Sequence, residues 1–515
     1  MTVLDYLREN NIGINAPCGG NGTCGKCLVS VDDGEPVLAC RTEYSRGMSV
    51  RVLNEPEQMT VLGVKERTNG SENNNNNNNI STYKEDSGRY GIAIDIGTTT
   101  IASAICDTGS GRIIAEETRI NSNVSFGADV ISRIKAGSEG HGEEMRVRLL
   151  EDIRAVVFCL CRGIKAIDTI ALAGNTTMIH TLMDYDLTPL GKYPYIPKNK
   201  GIIKGVASDI LNIKSNDMLE IENSQCVIFP NAAAFVGGDI TSGLYHLLSE
   251  RKMRKGTENV EISGLRACDT EKANKVIGFM DLGTNGEMAL ITNDIIYAAS
   301  SAAGPVFEGG GISCGIGSVT GAINHVKIEE VCDGRAKVSY STIGNEVSVK
   351  GICGSGVIDC AAEIFRAGLC DDHGTFINEG MDIAIAKYPD RSSVFFTQDD
   401  MRQVQLAKAA ISAGFEILCK EAGIAYKDID TLYLAGGMGY SLEVASAVKI
   451  GLVPKELKDR IVSIGNSSLK GAIDFITSDI DKETSALDDI ISRCRVIELA
   501  EDPEFQDKYI GHIDF

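Results

Sequence analysis

The sequence predicts an α/β protein in which a small cysteine-rich N-terminal module precedes a larger body made of two related lobes. Four cysteines crowd into the first forty residues. The segment YGIAIDIGTTTIASAICD at 90–107 is echoed by IGFMDLGTNGEMALITND at 277–294, and IDTIALAGNTTM at 167–178 is echoed by IDTLYLAGGMGY at 429–440. Because each echo contains an apolar strand that ends in a tight turn, the repetition indicates a duplicated unit with one copy in each lobe.

Composition and charge narrow the class of protein. The chain has 515 residues, of which 43% are hydrophobic, and it contains no Trp, so several aliphatic cores are expected. A net charge of −21 argues against a nucleic acid as partner. The charged N-terminus and the lack of an 18-residue apolar run predict neither a signal peptide nor a membrane span. Twelve of the sixteen cysteines are scattered singly, as is typical of thiols in a reducing compartment, which predicts a cytoplasmic location.

The pattern along the chain divides it into four parts. Residues 1–58 form the cysteine-rich module, and residues 59–89 form a polar linker with seven consecutive asparagines, Asn73 to Asn79, which we expect to be disordered. Its most polar stretch, residues 64–88, would span on the order of 25–30 Å. The two lobes follow at 90–275 and 276–515, and the second carries an insertion at about 300–400.

The cysteines of the N-terminal module predict an iron–sulfur cluster. Their spacing, C-x5-C-x2-C-x12-C, resembles the plant-type [2Fe–2S] arrangement with one additional residue in the first gap. Glycines surround them, which lets backbone N–H groups turn toward a cluster. Two alternatives remain: a zinc site, although only one short cysteine pair fits the usual zinc spacing, and a metal-free glycine loop. The predicted cluster ligands are Cys18, Cys24, Cys27 and Cys40.

The start of the chain departs from the plant-type pattern. Ferredoxin modules of that type usually open with a β-hairpin before the first helix, whereas TVLDYLRENN at residues 2–11 already has the pattern of that helix. About twenty expected residues are therefore missing. We expect either a start codon further upstream or a thinner sheet that protects the cluster less.

The two D-x-G-T turns predict phosphate-binding hairpins. The glycine permits a tight turn, backbone N–H groups and threonine hydroxyls face the anion, and the aspartate offers a carboxylate to Mg²⁺. A bilobal aspartic protease would also carry two such aspartates. That alternative is disfavoured because Ile96 and Leu282 stand where those proteases have a hydroxyl, and because residues 402–423 have a helical pattern.

A third motif, Leu-Ala-Gly-Gly-Met-Gly at 434–439, follows an apolar strand, and its paired glycines would let a flat base lie against the backbone. With this motif, the body resembles the superfamily of acetate kinase, sugar kinases, hsp70 and actin, which implies a ribonuclease H-like, actin/hexokinase-type fold with ATP between the lobes. FPNAAAFVGGD at 229–239 and IGNSSLKGA at 464–472 stand where that superfamily has its lobe-connecting helices.

The resemblance implies Asp95, Gly97, Thr98 and Thr99 in the first phosphate loop, Asp281, Gly283, Thr284 and Asn285 in the second, and Gly436 and Gly437 at the adenosine. It assigns catalytic roles to Asp95 and Asp281, and Asp239 would assist Mg²⁺ or position water.

The combination of a plant-type ferredoxin module with a β-grasp fold and this ATPase body resembles the reductive activators of corrinoid enzymes. GPVFEGGGI at 304–312 and GICGSGVID at 351–359 match stretches of that family, although their glycines also suit plain tight turns. Larger members carry a further middle domain where this chain has only the linker.

The resemblance implies an ATP-dependent one-electron reduction of cob(II)alamin to cob(I)alamin on a corrinoid protein. It implies a [2Fe–2S] cluster, ATP and Mg²⁺ as cofactors, a reductase as electron donor, and a homodimer. We hypothesise that ATP closes the lobes and alters the cobalt ligation, while the linker lets the cluster swing between donor and cobalt. Two alternatives stay open: an activator of another low-potential enzyme, resembling the dehydratase activases, and a ferredoxin-type electron relay with a regulatory nucleotide-binding body.

Overall fold

The computed structural model describes most of the body and part of the N-terminal module. The described residues are 1–9, 14, 27–32, 34–53, 87–127, 129–256, 275–332, 335–377, 382–389, 392–437 and 442–515. Residues 59–86 of the predicted asparagine-rich linker, including Asn73 to Asn79, lie outside them, as do Cys18 and Cys24.

The N-terminal module has one helix and a small antiparallel sheet. Val3, Leu4 and Leu7 are spaced so that one face of the helix is apolar, and this face packs on Val29 and Ala39 in a separate small core. Strand order is β2-β1-β3. The elements are α1 (Val3–Glu9), β1 (Leu28–Val31), β2 (Val37–Leu38) and β3 (Val50–Val52).

The first lobe is built on a six-stranded mixed sheet of order β6-β5-β4-β7-β9-β8. Its central strand, β4, is buried over most of its length, as expected for a strand whose two faces are both covered. The strands are β4 (Tyr90–Ile96), β5 (Thr100–Asp107), β6 (Ile113–Ile120), β7 (Thr169–Gly174), β8 (Ile203–Val206) and β9 (Gln225–Ile228), and the helices are α2 (Val130–Ala136), α3 (Gly142–Leu160), α4 (Thr176–Leu182), α5 (Ala207–Ile210) and α6 (Gly238–Gly256).

The second lobe has a six-stranded sheet of order β19-β18-β10-β11-β12-β20, with smaller sheets β14-β13-β15 and β16-β17 beside it. The strands are β10 (Val276–Leu282), β11 (Gly286–Ile291), β12 (Ile296–Ser301), β13 (Ala322–Cys332), β14 (Arg335–Thr342), β15 (Gly351–Ile352), β16 (Ile383–Lys387), β17 (Ser393–Phe396), β18 (Ile429–Ala435), β19 (Ile461–Gly465) and β20 (Cys494–Val496). The helices are α7 (Gly354–Arg366), α8 (Gln398–Ala422), α9 (Val444–Lys449), α10 (Ser467–Ile476), α11 (Ile480–Arg493) and α12 (Phe505–Gly511).

The two large sheets share one arrangement of strands. β4 pairs antiparallel with β5 and parallel with β7, and β10 pairs in the same way with β11 and β18. The echoed segments therefore occupy equivalent places. Because both central strands end beside a parallel neighbour, their aspartates lie at the carboxyl edge of each sheet, where ligands bind in α/β proteins.

Helices α6 and α10 connect the lobes by crossing at very close range. An added Cβ at Gly471 would lie 2.0 Å from the backbone oxygen of Ser242, so only glycine fits there. The Ser242 hydroxyl donates to the Ser468 oxygen at 2.7 Å. These helices come from the two segments that the sequence analysis associated with lobe connection. Within the described residues, no helix is both long and apolar enough to cross a membrane.

Candidate functional site

The first hairpin joins β4 to β5 and turns tightly. The Gly97 N–H donates to the Thr100 oxygen at 3.0 Å, which closes the turn. The Thr98 hydroxyl accepts a hydrogen bond of 2.9 Å from the side-chain amide of Asn175. Asn175 also caps the N-terminus of α4, so a helix end holds the hairpin in place.

Asp95 ends β4 and carries two strong hydrogen bonds. Its carboxylate accepts from the side-chain amide of Asn466 at 2.7 Å and from the Ser468 hydroxyl at 2.7 Å, both at the start of α10. Burial raises the pKa of Asp95, and these two hydrogen bonds oppose that rise. The aspartate of the first hairpin is thus fixed in orientation by the helix that connects the lobes.

The second hairpin joins β10 to β11 and approaches the Leu-Ala-Gly-Gly motif closely. Gly436 has φ +106°, and an added Cβ would lie 2.5 Å from the backbone oxygen of Leu282, so its lack of a side chain is required by the hairpin itself. An added Cβ on Gly437 would meet no atom of the described residues within 4 Å. That open face suits a flat base, while residues 438–441 lie outside the described part of the chain.

Carboxylates from both lobes converge on the space between the hairpins. Burial, then the charge of Asp95, raises the pKa of Asp239 at the start of α6 to about 7. Burial, followed by the charges of Asp239, Asp95 and Glu308, raises the pKa of Asp281 to about 8. Burial, followed by the charges of Asp239 and Asp281, raises the pKa of Glu287 well above its usual value. Like charges at short range resist ionisation together, so these carboxyl groups raise one another's pKa values.

Glu308 was not among the predicted site residues, yet it lies between the hairpins. One carboxylate oxygen accepts from the Thr99 hydroxyl at 3.0 Å and from the Thr284 hydroxyl at 3.0 Å. Burial raises the pKa of Glu308, and the hydrogen bonds from Thr284 and Thr99 act in the opposite direction. Glu308 belongs to GPVFEGGGI, whereas GICGSGVID forms β15 and the start of α7 and packs in the core.

Arg133 is a second residue that the sequence analysis missed. Its guanidinium is completely buried beneath the first hairpin and donates to the backbone oxygens of Thr98 and, at 3.0 Å, of Gly127. Burial lowers the pKa of Arg133 to about 9, and the charges of Asp129 and Glu308 counteract this. A buried cation next to the predicted phosphate-binding turn adds positive potential where phosphate is expected.

Two of the four predicted cluster ligands are described, and the structure brings them together. The Cys27 and Cys40 sulfurs lie 3.3 Å apart, with Cys27 buried and Cys40 half-buried. The backbone bond from Ala39 N–H to the Cys27 oxygen, at 2.8 Å, fixes their two segments. Among described residues no group of three or more potential metal ligands occurs. Because Cys18 and Cys24 lie outside that part of the chain, the four-cysteine cluster stays a prediction.

Three protein-family models match the chain. The 2Fe-2S iron-sulfur cluster binding domain matches residues 1–70, which include all four predicted cluster cysteines. The RACo middle region matches residues 90–251, and the C-terminal domain of RACo, the ASKHA domain, matches residues 275–515. The middle-region match thus falls on the span that we assigned to the first lobe, directly after the linker.

Named relatives and a solved structure cover most of the chain. Corrinoid activation enzyme RamQ of Eubacterium limosum is 29% identical over an alignment 609 positions long, which covers 100% of this chain and 96% of the relative. The [Co(II) methylated amine-specific corrinoid protein] reductase of Methanosarcina barkeri is 24% identical over 440 residues, covering 79% and 73%. The structure titled reductive activator for corrinoid,iron-sulfur protein has 27% identity and a TM-score of 0.71, covering 100% of this chain and 95% of that one. The predicted fold class is therefore confirmed.

Proposed function

Because the chain belongs to the family of reductive activators of corrinoid proteins, we propose that it uses ATP to reduce a corrinoid protein from cob(II)alamin to cob(I)alamin. One observation carries the proposal. The same chain combines the sulfur pair of Cys27 and Cys40 with two facing hairpins, whose first strands carry Asp95 and Asp281 next to the turn. An electron carrier alone would not need the hairpins, and a kinase alone would not need the sulfur pair.

The N-terminal module is proposed to hold a [2Fe–2S] cluster on Cys18, Cys24, Cys27 and Cys40. When bound, the cluster supplies one electron at about −400 mV to the cobalt, and a low-potential reductase restores that electron. The contribution of this chain is to keep two thiols adjacent: Cys27 is buried against the small apolar core, which excludes water on that side.

The cleft is proposed to bind Mg²⁺ and ATP. Asp281 and Asp239, whose pKa values are raised by burial and by neighbouring carboxylates, would hold the cation, since oxygen ligands suit Mg²⁺. Asp95 would orient a ligand through the direction that Asn466 and Ser468 impose on its carboxylate. The hydroxyls of Thr98, Thr99 and Thr284 would donate to phosphate oxygens.

Energy input is needed because cobalt reduction lies below the potential of a plant-type cluster, and about 59 mV of mismatch costs tenfold in a one-electron equilibrium. The cleft suits such coupling because hydrogen bonds from α10 reach Asp95 and those from both hairpins reach Glu308. Binding or loss of a nucleotide in the cleft would therefore change hydrogen bonds in both lobes. The homodimer and the cytoplasmic location remain predictions.

The direct experiment measures cobalt reduction by anaerobically reconstituted protein with a Co(II) corrinoid protein and a low-potential chemical reductant. We expect the Co(II) EPR signal to disappear only when ATP and Mg²⁺ are present. Cys27→Ser should reduce bound iron and slow reduction by more than about a hundredfold, because a cluster needs its thiolate ligands. Cys332→Ser, at an exposed cysteine, is the matched control. Equal rates without ATP, or with Cys27→Ser, would reject the proposal.

A further inference from the structure

Glu308 makes hydrogen bonds to the hairpins of both lobes at once. One oxygen accepts the Thr99 and Thr284 hydroxyls, each at 3.0 Å. The other oxygen lies against the second hairpin, where an added Cβ on Gly283 would meet it at 3.4 Å. The carboxylate therefore stands in the anion position that the two hairpins create.

These contacts conflict with a bound phosphate. Each threonine hydroxyl has one hydrogen to donate, so a hydroxyl that donates to Glu308 cannot donate to a phosphoryl oxygen. A carboxylate and a phosphate in adjacent positions also repel each other, strongly so where water is scarce. The Glu308 carboxylate and a bound phosphate would need the same hydroxyl donors, and these hydroxyls cannot donate to both at once.

We propose that Glu308 competes with the phosphates of the nucleotide: its carboxylate accepts the hydroxyls of both hairpins when no nucleotide is bound and leaves them when phosphate binds. This inference rests on the ATP-binding part of the proposed function. Because the displaced contact joins the hairpin of one lobe to that of the other, phosphate binding removes a link between the lobes. Nucleotide binding is thereby tied to freedom of movement across the cleft.

The position of Glu308 is independently supported by its chain. It ends the short helical turn Pro305–Glu308, whose Val306 and Phe307 are buried in the core of the second lobe. The turn is thus fixed to one lobe, and only the carboxylate extends to Thr99 on the other. Leaving the hydroxyls requires a change of side-chain rotamer and no movement of the backbone.

The test compares ADP and adenosine binding to the intact chain in EDTA, by calorimetry, for the wild type and Glu308→Gln. The amide keeps the size of the side chain and removes its charge. We expect Glu308→Gln to bind ADP about tenfold more tightly, because the repulsion is lost. Adenosine, which has no phosphate, should bind within about twofold of wild type. Glu456→Gln, an exposed glutamate of the same lobe, should bind both like wild type.

The possible outcomes separate this inference from the proposed function. If the wild type binds no nucleotide with or without Mg²⁺, the proposed function fails. If the wild type binds ADP and Glu308→Gln binds it equally or less tightly, the proposed competition is rejected. Glu308 would then bind the nucleotide or its cation, or have a structural role. If Glu308→Gln does not fold, Glu308→Asp, which is too short to reach both hydroxyls, should bind ADP about threefold more tightly. Unchanged binding by that variant would equally overturn the inference.

Discussion

Asp95 and Asp281 occupy equivalent places at the ends of β4 and β10, but their surroundings differ. Asp95 accepts two hydrogen bonds of 2.7 Å from Asn466 and Ser468. Asp281 faces the carboxylates of Asp239, Asp95 and Glu308, and no hydrogen bond from the described residues opposes the resulting rise of its pKa. The two copies therefore share the turn but differ in surroundings: hydrogen bonds hold Asp95 in position, whereas Asp281, under the proposed function, would be paired with a cation.

The largest effect is expected from replacing each aspartate by asparagine. Asp281→Asn should abolish the thermal shift that Mg²⁺ and ADP cause together, because the cation loses its anionic ligand, yet raise the free energy of unfolding of the metal-free protein by about 1–2 kcal/mol at pH 8. Asp95→Asn should lower that free energy by about 1–2 kcal/mol, since one amide oxygen cannot replace a carboxylate for two donors. Thermal denaturation in EDTA measures both. Effects of the same sign would contradict the division of roles.

The dependence of stability on pH should sharpen the comparison. The pKa values of Asp281 and Asp239 rise from 3.8 to about 8 and about 7 in the fold. Folded protein thus binds protons more tightly than unfolded protein, so these groups contribute stability below about pH 4 and lose it as pH rises through about 7 to 8. We expect the free energy of unfolding in EDTA to fall by several kcal/mol between about pH 5 and 8.5, because each unit of pKa shift is worth about 1.4 kcal/mol.

Urea denaturation at several pH values measures this slope. Saturating Mg²⁺ should flatten it, because a bound cation replaces the protons, and Asp281→Asn should flatten it without Mg²⁺. Glu456→Gln, at an exposed glutamate of the second lobe, is the control that should retain the slope. A slope that is unaffected by Mg²⁺ and by Asp281→Asn would show that the carboxylates of the cleft are not its source.

The smallest effect concerns the support of Asp95 by α10. Ser468→Ala removes a charge-assisted hydrogen bond and should lower the free energy of unfolding by about 1–2 kcal/mol. The neighbouring Ser467 is buried too, but its hydroxyl has no hydrogen-bond partner in the described part of the chain. Ser467→Ala should therefore be neutral or slightly stabilising. Denaturant unfolding of the two variants checks this, and equal losses would point to lost packing of the buried serine side chains instead of the bond to Asp95.

Both hairpins could be predicted from the sequence because their information is local. A tight D-x-G-T turn after an apolar strand specifies its own geometry, and the echo at 277–294 identifies its partner. The residues that hydrogen-bond to Asp95 could be predicted only in part from the sequence. The segment at 464–472 was singled out for its place in the chain, but no pattern connects Ser468 with a carboxylate 373 positions earlier.

Glu308 and Arg133 were missed for a related reason. Glu308 is the acidic residue in a glycine-rich stretch, GPVFEGGGI, and such a residue signals a possible site without indicating which atoms it contacts. Arg133 lies in an ordinary amphipathic helix, where an arginine usually faces solvent. Its burial follows from the packing of α2 beneath the first hairpin, which sequence periodicity does not encode.

The crossing of α6 and α10 has a mechanical consequence for the cleft. Ser468 both supports Asp95 and receives the Ser242 hydroxyl through its backbone oxygen, one turn before the glycine that permits the crossing. The two helices can roll at this contact point but have no space to approach further. Rotation between the lobes would thus pivot on Gly471. Asp95, which is held by Ser468 near that pivot, would move least, and groups of the cleft that lie farther from it would move more.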